Sequence, residues 1–302
     1  MARTVDRAQV DQGLPRVDRG VNPRLVTMAQ RLRVHVVQVA YGDDESVTAR
    51  IARVADLVRA QRGADLVVLP ELWAPTGFGY RAWSEHAETV DGPTVAAVAA
   101  AAREIGAVVH AGSIVERLPD GAPPEAAGET GRGRWNTSVL IGPDGVVTAT
   151  YRKIHRFGFG EGEPLLLEAG EQVVATPMPG RPDVVLGLAT CYDLRFPELF
   201  RRLLDAGARM VLVPAAWPAA RVEAWQLLGR ARAMEDQLVL VQCNTGGTHS
   251  GHRMGGHSQV VDATGAVLAE AGDDEEVLVV EVDLDDVDRW RQRFPVLADR
   301  RL

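Results

Sequence analysis

From Leu32 onward the chain alternates short apolar runs with stretches of helical period. Residues 31–41, RLRVHVVQVAY, form a β-rich run. Ser46–Arg62 then places Val47, Ile51, Val54 and Val58 at the spacing of one helix face. Asp65–Glu71 is a short apolar run of the buried-strand type. The Ala-rich segment Pro93–Ile105 predicts a helix, with Pro93 suited to its first turn. AVVHAGSIVER follows as a strand. Leu118–Arg134 is rich in Gly, Pro and Ala without period, which predicts a loop. WNTSVLIGPDGVVTATYRK predicts two strands about a turn at Pro143–Gly145.

The second half repeats this logic. VVLGLATCYD reads as strand, PELFRRLLDAG as helix, ARMVLVPAAW as strand, Arg221–Asp236 as helix and LVLVQCNT as strand. GGHSQVVDATGAVLAEAG predicts a strand pair about Ala263–Gly265, and EEVLVVEVDL the last strand. The pattern is α/β, with a mixed sheet or two sheets covered by helices. No linker interrupts 32–290, so one domain is expected over 31–302. Residues 1–30 scatter Arg and Asp without period and read as a disordered extension. Met28, just before the first strand, is a candidate translation start. The charged tail Trp290–Leu302 has few packing options within the fold, and Val287–Leu302 is expected to reach a partner subunit.

Composition narrows the class. The 302 residues are 46% hydrophobic and 25% charged, with 30 Gly and 17 Pro, which excludes collagen-like, low-complexity and wholly disordered chains. A chain of this length buries a large core without staples. Two cysteines rule out a disulfide framework and a four-thiolate zinc site, and favour a reducing compartment. The net charge, 33 − 41 = −8, weighs against nucleic acid as a partner. No apolar run approaches the roughly 18–20 residues of a membrane helix, and the N-terminus has no signal-like apolar stretch. A cytoplasmic protein needing neither membrane nor nucleic acid is expected.

Three stretches place a reactive side chain where a strand ends, the position at which open α/β sheets build sites. They are Leu69–Trp73, Tyr151–His155 and Ala189–Asp193. Cys191 is followed by Tyr-Asp-Leu-Arg and a Pro-started helix, and a helix N-terminus favours the thiolate. Cys243, in mid-run among apolar residues, reads as a structural thiol instead. Taken singly, Glu71 and Lys153 are as well explained as surface charges. Together with Cys191 their roles are complementary. A thiol attacking an amide carbonyl needs a base for its proton, a stabiliser for the oxyanion and an acid for the leaving amine. His249, His252 and His257 lie in a loose Gly-rich stretch without the helix-borne pair of a zinc hydrolase. They read as solvated histidines on a mobile loop, so no metal is expected. Gly246-Gly247-Thr248 lacks the spacing and lysine of a phosphate-binding loop.

The set resembles the carbon–nitrogen hydrolase (nitrilase) superfamily, whose catalytic residues run Glu, Lys, Cys in chain order. Val-Val-Leu-Pro-Glu-Leu, residues 67–72, resembles its first motif, Tyr-Arg-Lys-Ile-His, residues 151–155, its second, and Cys-Tyr-Asp-Leu-Arg-Phe-Pro-Glu-Leu, residues 191–199, its third. The resemblance runs from about Leu32 to about Pro295 and takes in residues 213–218, 230–235 and 256–262. It implies a four-layer αββα sandwich and cofactor-free hydrolysis of a non-peptide C–N bond. By that resemblance Glu71 is the general base, Lys153 and the Tyr192 backbone N–H stabilise the oxyanion, and Cys191 is the nucleophile. A second site carboxylate is Glu163, with Glu161 as the alternative; it would orient Lys153 and hold the pKa of Glu71 up. Trp217 and Phe78 are candidates for the pocket wall. For Arg195, a role toward a substrate carboxylate competes with an ion pair to Glu198. Tyr192-Asp193 after the nucleophile is similar to the amidase branch, ω-amidases in particular, rather than to nitrile hydrolases. Deaminated-glutathione amidases and N-carbamoyl amine hydrolases share the triad, and a non-catalytic binding module is the remaining alternative. The expected ligand is a small-molecule amide, and the expected assembly a homodimer or larger homo-oligomer.

Overall fold

The computed structural model describes residues 31–301; the N-terminal extension, the candidate start at Met28 and Leu302 lie outside the described residues. In chain order the strands and helices are β1 (Arg31–Gln38), β2 (Ala40–Gly42), α1 (Val47–Arg59), β3 (Leu66–Val68), α2 (Pro93–Ile105), β4 (Val108–Arg117), β5 (Arg134–Ile141), β6 (Val147–Arg152), α3 (Glu163–Leu166), β7 (Val174–Met178), β8 (Arg181–Leu188), α4 (Pro197–Asp205), β9 (Met210–Pro214), α5 (Val222–Asp236), β10 (Val239–Cys243), β11 (Gly246–His249), β12 (His252–Arg253), β13 (Gln259–Val261), β14 (Val267–Glu270), β15 (Glu276–Asp283) and α6 (Asp285–Arg293).

Two six-stranded sheets carry the fold. One has the order β15-β1-β3-β4-β5-β6, the other β14-β13-β10-β9-β8-β7. In each, the inner strands are parallel and the flanking ones antiparallel: β1 runs with β3 (Val34↔Leu66) and against β15 (Arg31↔Asp283). Strand β10 runs with β9 and against β13. Alternation along β1 explains the layering. Leu32, Val34 and Val36 enter a core shared with Leu186, Val211, Val213 and Leu240 of the other sheet. Val37, one step out of phase, joins Val54 and Val58 of α1 and Val95 and Val98 of α2. On the far side, Leu199, Phe200 and Leu203 of α4 and Trp225 and Ala233 of α5 pack on the second sheet. The order is helices, sheet, sheet, helices, which is the αββα sandwich expected from the resemblance. Each fully buried Val, Leu or Phe here contributes about 1.5–3 kcal/mol, so this double interface dominates the stability.

Helix ends follow local chemistry. Ser46 accepts from the Ala49 N–H at the start of α1, and Gly106, at φ 67°, ends α2 in the left-handed region. The tail departs from expectation. Instead of lacking packing options it forms α6, whose Val287 is buried and whose Trp290 packs on the core. Gln237 Nε2 donates to the Phe294 carbonyl, and Arg300 pairs with Asp205 at 2.6 Å. The tail is therefore held by its own chain.

Candidate active site

The strands β3, β6, β8 and β9 all end at one place. Two residues past β3 the chain turns sharply: Pro70 lies against a bulge in β4, where Gly112 sits at φ 71° and an added Cβ would meet the Pro70 carbonyl oxygen at 1.8 Å. Only glycine fits there. The turn is fastened by the Leu72 N–H on Ser113 Oγ (3.1 Å) and by Trp73 Nε1–H on the Ala111 carbonyl (2.9 Å). It directs Glu71 inward, where one carboxylate oxygen accepts from the Ala216 N–H at 2.8 Å.

Lys153 follows β6 directly. Its Nζ lies 2.8 Å from Glu71 Oε1 and 2.9 Å from Glu163 Oε2. All three side chains are buried. Glu163 opens α3 and also accepts from the Phe157 N–H at 2.5 Å. Asn136 of β5 donates one amide to both carboxylates, at 2.8 Å to Glu71 and 2.6 Å to Glu163. Asn136 was not foreseen. The signal available was an amide side chain at the third position of a strand-forming run. Glu161, the alternative to Glu163, is exposed, so it is Glu163 that shares Lys153.

Cys191 begins a short 3-10 turn, Cys191–Arg195, which follows β8 after Ala189 and Thr190. Its φ of 49° is a left-handed conformation that a residue with a Cβ adopts at a cost. Asp193 holds it there. One carboxylate oxygen accepts from the Thr190 N–H (2.9 Å) and from Tyr151 OH (2.7 Å); the other takes the His155 N–H (3.0 Å). His155 Nδ1 approaches that second oxygen at 2.7 Å, and its ring stacks on Phe196. Tyr151 and His155 flank Lys153, so Asp193 ties the cysteine turn to the lysine strand. Thr190 and Ser138 hydroxyls, 2.8 Å apart, bridge the two sheets beside it.

The electrostatics are set by burial. Burial alone would lower the Lys153 ammonium, but the charges of Glu163 and Glu71 outweigh it and hold its pKa well above the ordinary value. Burial pushes the Glu163 carboxyl up against the pull of Lys153. Burial, then the Glu71 charge, pushes the Cys191 thiol up, more than Lys153 pulls it down. Burial and the Glu71 charge thus work against the thiolate, opposite in direction to the helix N-terminus.

The wall residues converge on the same place. A narrow cleft over Cys191 is lined by Phe78, Tyr192, Trp217, Phe157, Arg195 and Arg221. Tyr192 stands edge-on to Phe157 and Phe196, and its backbone N–H lies in the first turn, where no intrahelical acceptor exists. Trp217 is fixed by its N–H on Asn244 Oδ1 (2.7 Å) and its indole N–H on the Arg221 carbonyl (2.7 Å). Among the described residues Arg195 makes no ion pair with Glu198; its guanidinium lies over the Trp217 ring.

The three loop histidines do not converge. His249 is buried, not solvated, and stacks on Tyr41 at 4.5 Å because β11 pairs with β2 and draws it inward. His252 packs on Phe78, and His257 pairs with Glu270 and Asp273. No group of three His, Cys, Asp or Glu among the described residues could hold a metal ion. Cys243 is buried, its thiol donating to the Val37 and Val68 carbonyls.

Known proteins share this architecture. The family model described as carbon-nitrogen hydrolase matches residues 33–292. A 2-oxoglutaramate amidase of Paenarthrobacter nicotinovorans is 43% identical over 272 residues, 90% of either chain. The omega-amidase NIT2 of Mus musculus is 31% identical over 283 residues, 90% of this chain and 95% of that one. Among solved structures, a CN-hydrolase superfamily protein of Xanthomonas campestris superposes with a TM-score of 0.78 at 30% identity, covering 90% of this chain and 98% of its own. Nit3 of Saccharomyces cerevisiae, a member of the nitrilase superfamily, gives 0.77 at 27% identity, covering 90% and 97%. With that match over most of its length, this chain belongs to the carbon–nitrogen hydrolase family and is an amidohydrolase.

Proposed function

We propose that this enzyme hydrolyses the terminal amide of a small ω-amic acid of the 2-oxoglutaramate type, releasing ammonia. The observation that carries the reading is the buried Glu71–Lys153–Glu163 cluster set against Cys191, in a chain 43% identical to a 2-oxoglutaramate amidase. Glu71 takes the thiol proton as Sγ attacks the amide carbon. Lys153 Nζ and the Tyr192 N–H stabilise the oxyanion. Collapse breaks the C–N bond, and the proton held by Glu71 goes to the departing ammonia. Water then attacks the thioester, giving its proton to Glu71. Collapse expels the thiolate, which recovers that proton, and the free acid leaves. Glu163 orients Lys153, and Phe78 and Trp217 wall the substrate.

We further propose a homodimer or larger homo-oligomer. Leu227 and Met234, seven residues apart on one face of α5, are 67% and 53% exposed, which a lone subunit leaves in water. Two free thiols favour a cytoplasmic setting.

The test is ammonia release from 2-oxoglutaramate beside simple amides, carbamoyl amines and nitriles, for wild type and Cys191→Ala. Release strongest with 2-oxoglutaramate and lost in the variant is expected. Release from another member alone moves the substrate class, and turnover retained by the variant overturns the site.

A further inference from the structure

Resting on the reading of Glu71 as base, we infer that Asn244 is a positioning residue for the reaction. It fixes the strap of residues 215–217, which follows β9, and so sets the base and the pocket wall together. Each residue of the strap is committed. The Ala215 carbonyl accepts the Glu71 N–H at 3.4 Å. The Ala216 N–H donates to Glu71 Oε2 at 2.8 Å. Trp217 gives both of its backbone groups to Asn244: its N–H donates to Oδ1 at 2.7 Å, and its carbonyl accepts from Nδ2 at 3.1 Å. Glu71 Oε1 is engaged by Lys153 and Asn136, so the strap is what holds the other oxygen. The strap residue that grips the base and the one that walls the pocket are neighbours in the chain, and one amide side chain sets both.

Asn244 is itself held rigidly. It follows β10, is fully buried, and spends its second amide hydrogen on the Gly256 carbonyl at 2.7 Å. Its backbone N–H donates to Ser258 Oγ at 2.9 Å. The Ser258 hydroxyl and N–H both donate to Gln38 Oε1, at 2.8 and 2.9 Å. Gln38, the last residue of β1, donates in turn to the Gly272 and Asp274 carbonyls at 2.7 and 2.6 Å. The series starts in the first sheet, crosses to the second at Ser258 and Asn244, and returns through the strap to Glu71. The site demands an acceptor and two donors on one short side chain, which asparagine supplies. An aspartate would set its charge against two carbonyls, and an alanine would leave them unpaired. On the other side the strap has no slack: a Cβ on Gly77 would meet Ala216 Cβ at 2.4 Å. A misplacement of about 1 Å at reacting groups costs up to ~100-fold in rate, so a strap fixed from both sides matters to the chemistry.

The test separates a positioned base from a merely stable fold. Both an amide and p-nitrophenyl acetate form a thioester at Cys191, but only the amide's leaving group needs the proton that Glu71 carries; p-nitrophenolate departs without one. We would measure kcat/KM for 2-oxoglutaramate and for p-nitrophenyl acetate in wild type, Asn244→Ala and Ser258→Ala, with Cys191→Ala as the blank and circular dichroism as the check on folding. The ratio of amide to ester should fall at least ~10-fold in Asn244→Ala, with kcat for the amide lowered and its KM raised as base and wall shift together. A variant that loses both activities in equal proportion has only lost folded protein, and that result overturns the assignment. Should Asn244→Ala fail to fold, Ser258→Ala decides, because Ser258 bonds to neither Glu71 nor the strap. Its ratio should fall at least ~3-fold, and an unchanged ratio overturns the assignment. Glu71→Gln separates this assignment from the reading beneath it: amide turnover retained there overturns the base and Asn244 with it, whereas a constant ratio in the other variants overturns Asn244 alone. Turnover of a different amide moves only the substrate class, and the ratio is then taken with that amide.

Discussion

Asn136 Nδ2 stands between two carboxylates that would otherwise repel each other. It donates to both, and its carbonyl accepts the Lys153 backbone N–H at 2.8 Å. One residue thus sets the spacing of Glu71, Glu163 and Lys153. Its donation also pulls the Glu163 carboxyl down against the upward push of burial. Asn136→Ala removes a hydrogen bond to charged groups, worth about 1.5–3 kcal/mol, so kcat should fall ~10–100-fold. With the donor gone Glu163 rises further, and the acid limb of the pH–rate profile should move to higher pH. A lower rate with an unmoved profile would mean that Asn136 only fills space. Glu71, Lys153 and Cys191 were legible in the sequence because each closes a strand inside a recognisable motif. Asn136 and Arg221 were not. The first is one polar residue within a strand, and the second depends on how the start of α5 packs against Trp217.

At the scale of elements, α5 carries an internal conflict. Asp236 ends it, where the helix dipole already disfavours a negative charge. Arg201 pairs with it at 2.9 Å. Burial raises its pKa from 3.8 to about 6. The folded value lies above the unfolded one, so the stability contributed is present below about pH 4 and is lost as pH rises through 6. Asp236→Asn should therefore raise stability on the order of 1–2 kcal/mol at pH 8 and change little at pH 3.5, measured by denaturant titration. Helices α1 and α2 were readable because period and caps agree. Helix α6 was not, because only Val287 and Trp290 touch the core and acidic and basic residues fill the rest. Strands β2, β11 and β12, of two to four residues with glycine among them, are too short to show a period.

At the scale of the molecule, the site exists only where the two sheets meet. Glu71, Lys153 and Asn136 belong to one sheet, and Cys191, Ala216 and Trp217 to the other. Ser138 with Thr190, and Tyr151 with Asp193, bond across the seam. Neither sheet alone holds both Cys191 and Glu71, so local unfolding of either should abolish turnover before global unfolding, read by activity against circular dichroism on heating. On the outer face, α5 exposes Leu227 and Met234. Sedimentation should give a dimer or larger species across concentrations, and Leu227→Glu with Met234→Glu should yield a smaller one. An active monomer in wild type would remove α5 as an interface. The positive φ of Cys191 has a consequence beyond geometry. Glycine takes that dihedral without the cost, roughly 1–2 kcal/mol, that a side chain incurs. Selection for heat resistance, blind to turnover, would therefore drift toward glycine at 191 and away from the sulfur. Durability and reactivity pull against each other at one backbone torsion, and the cysteine persists only where activity is under selection.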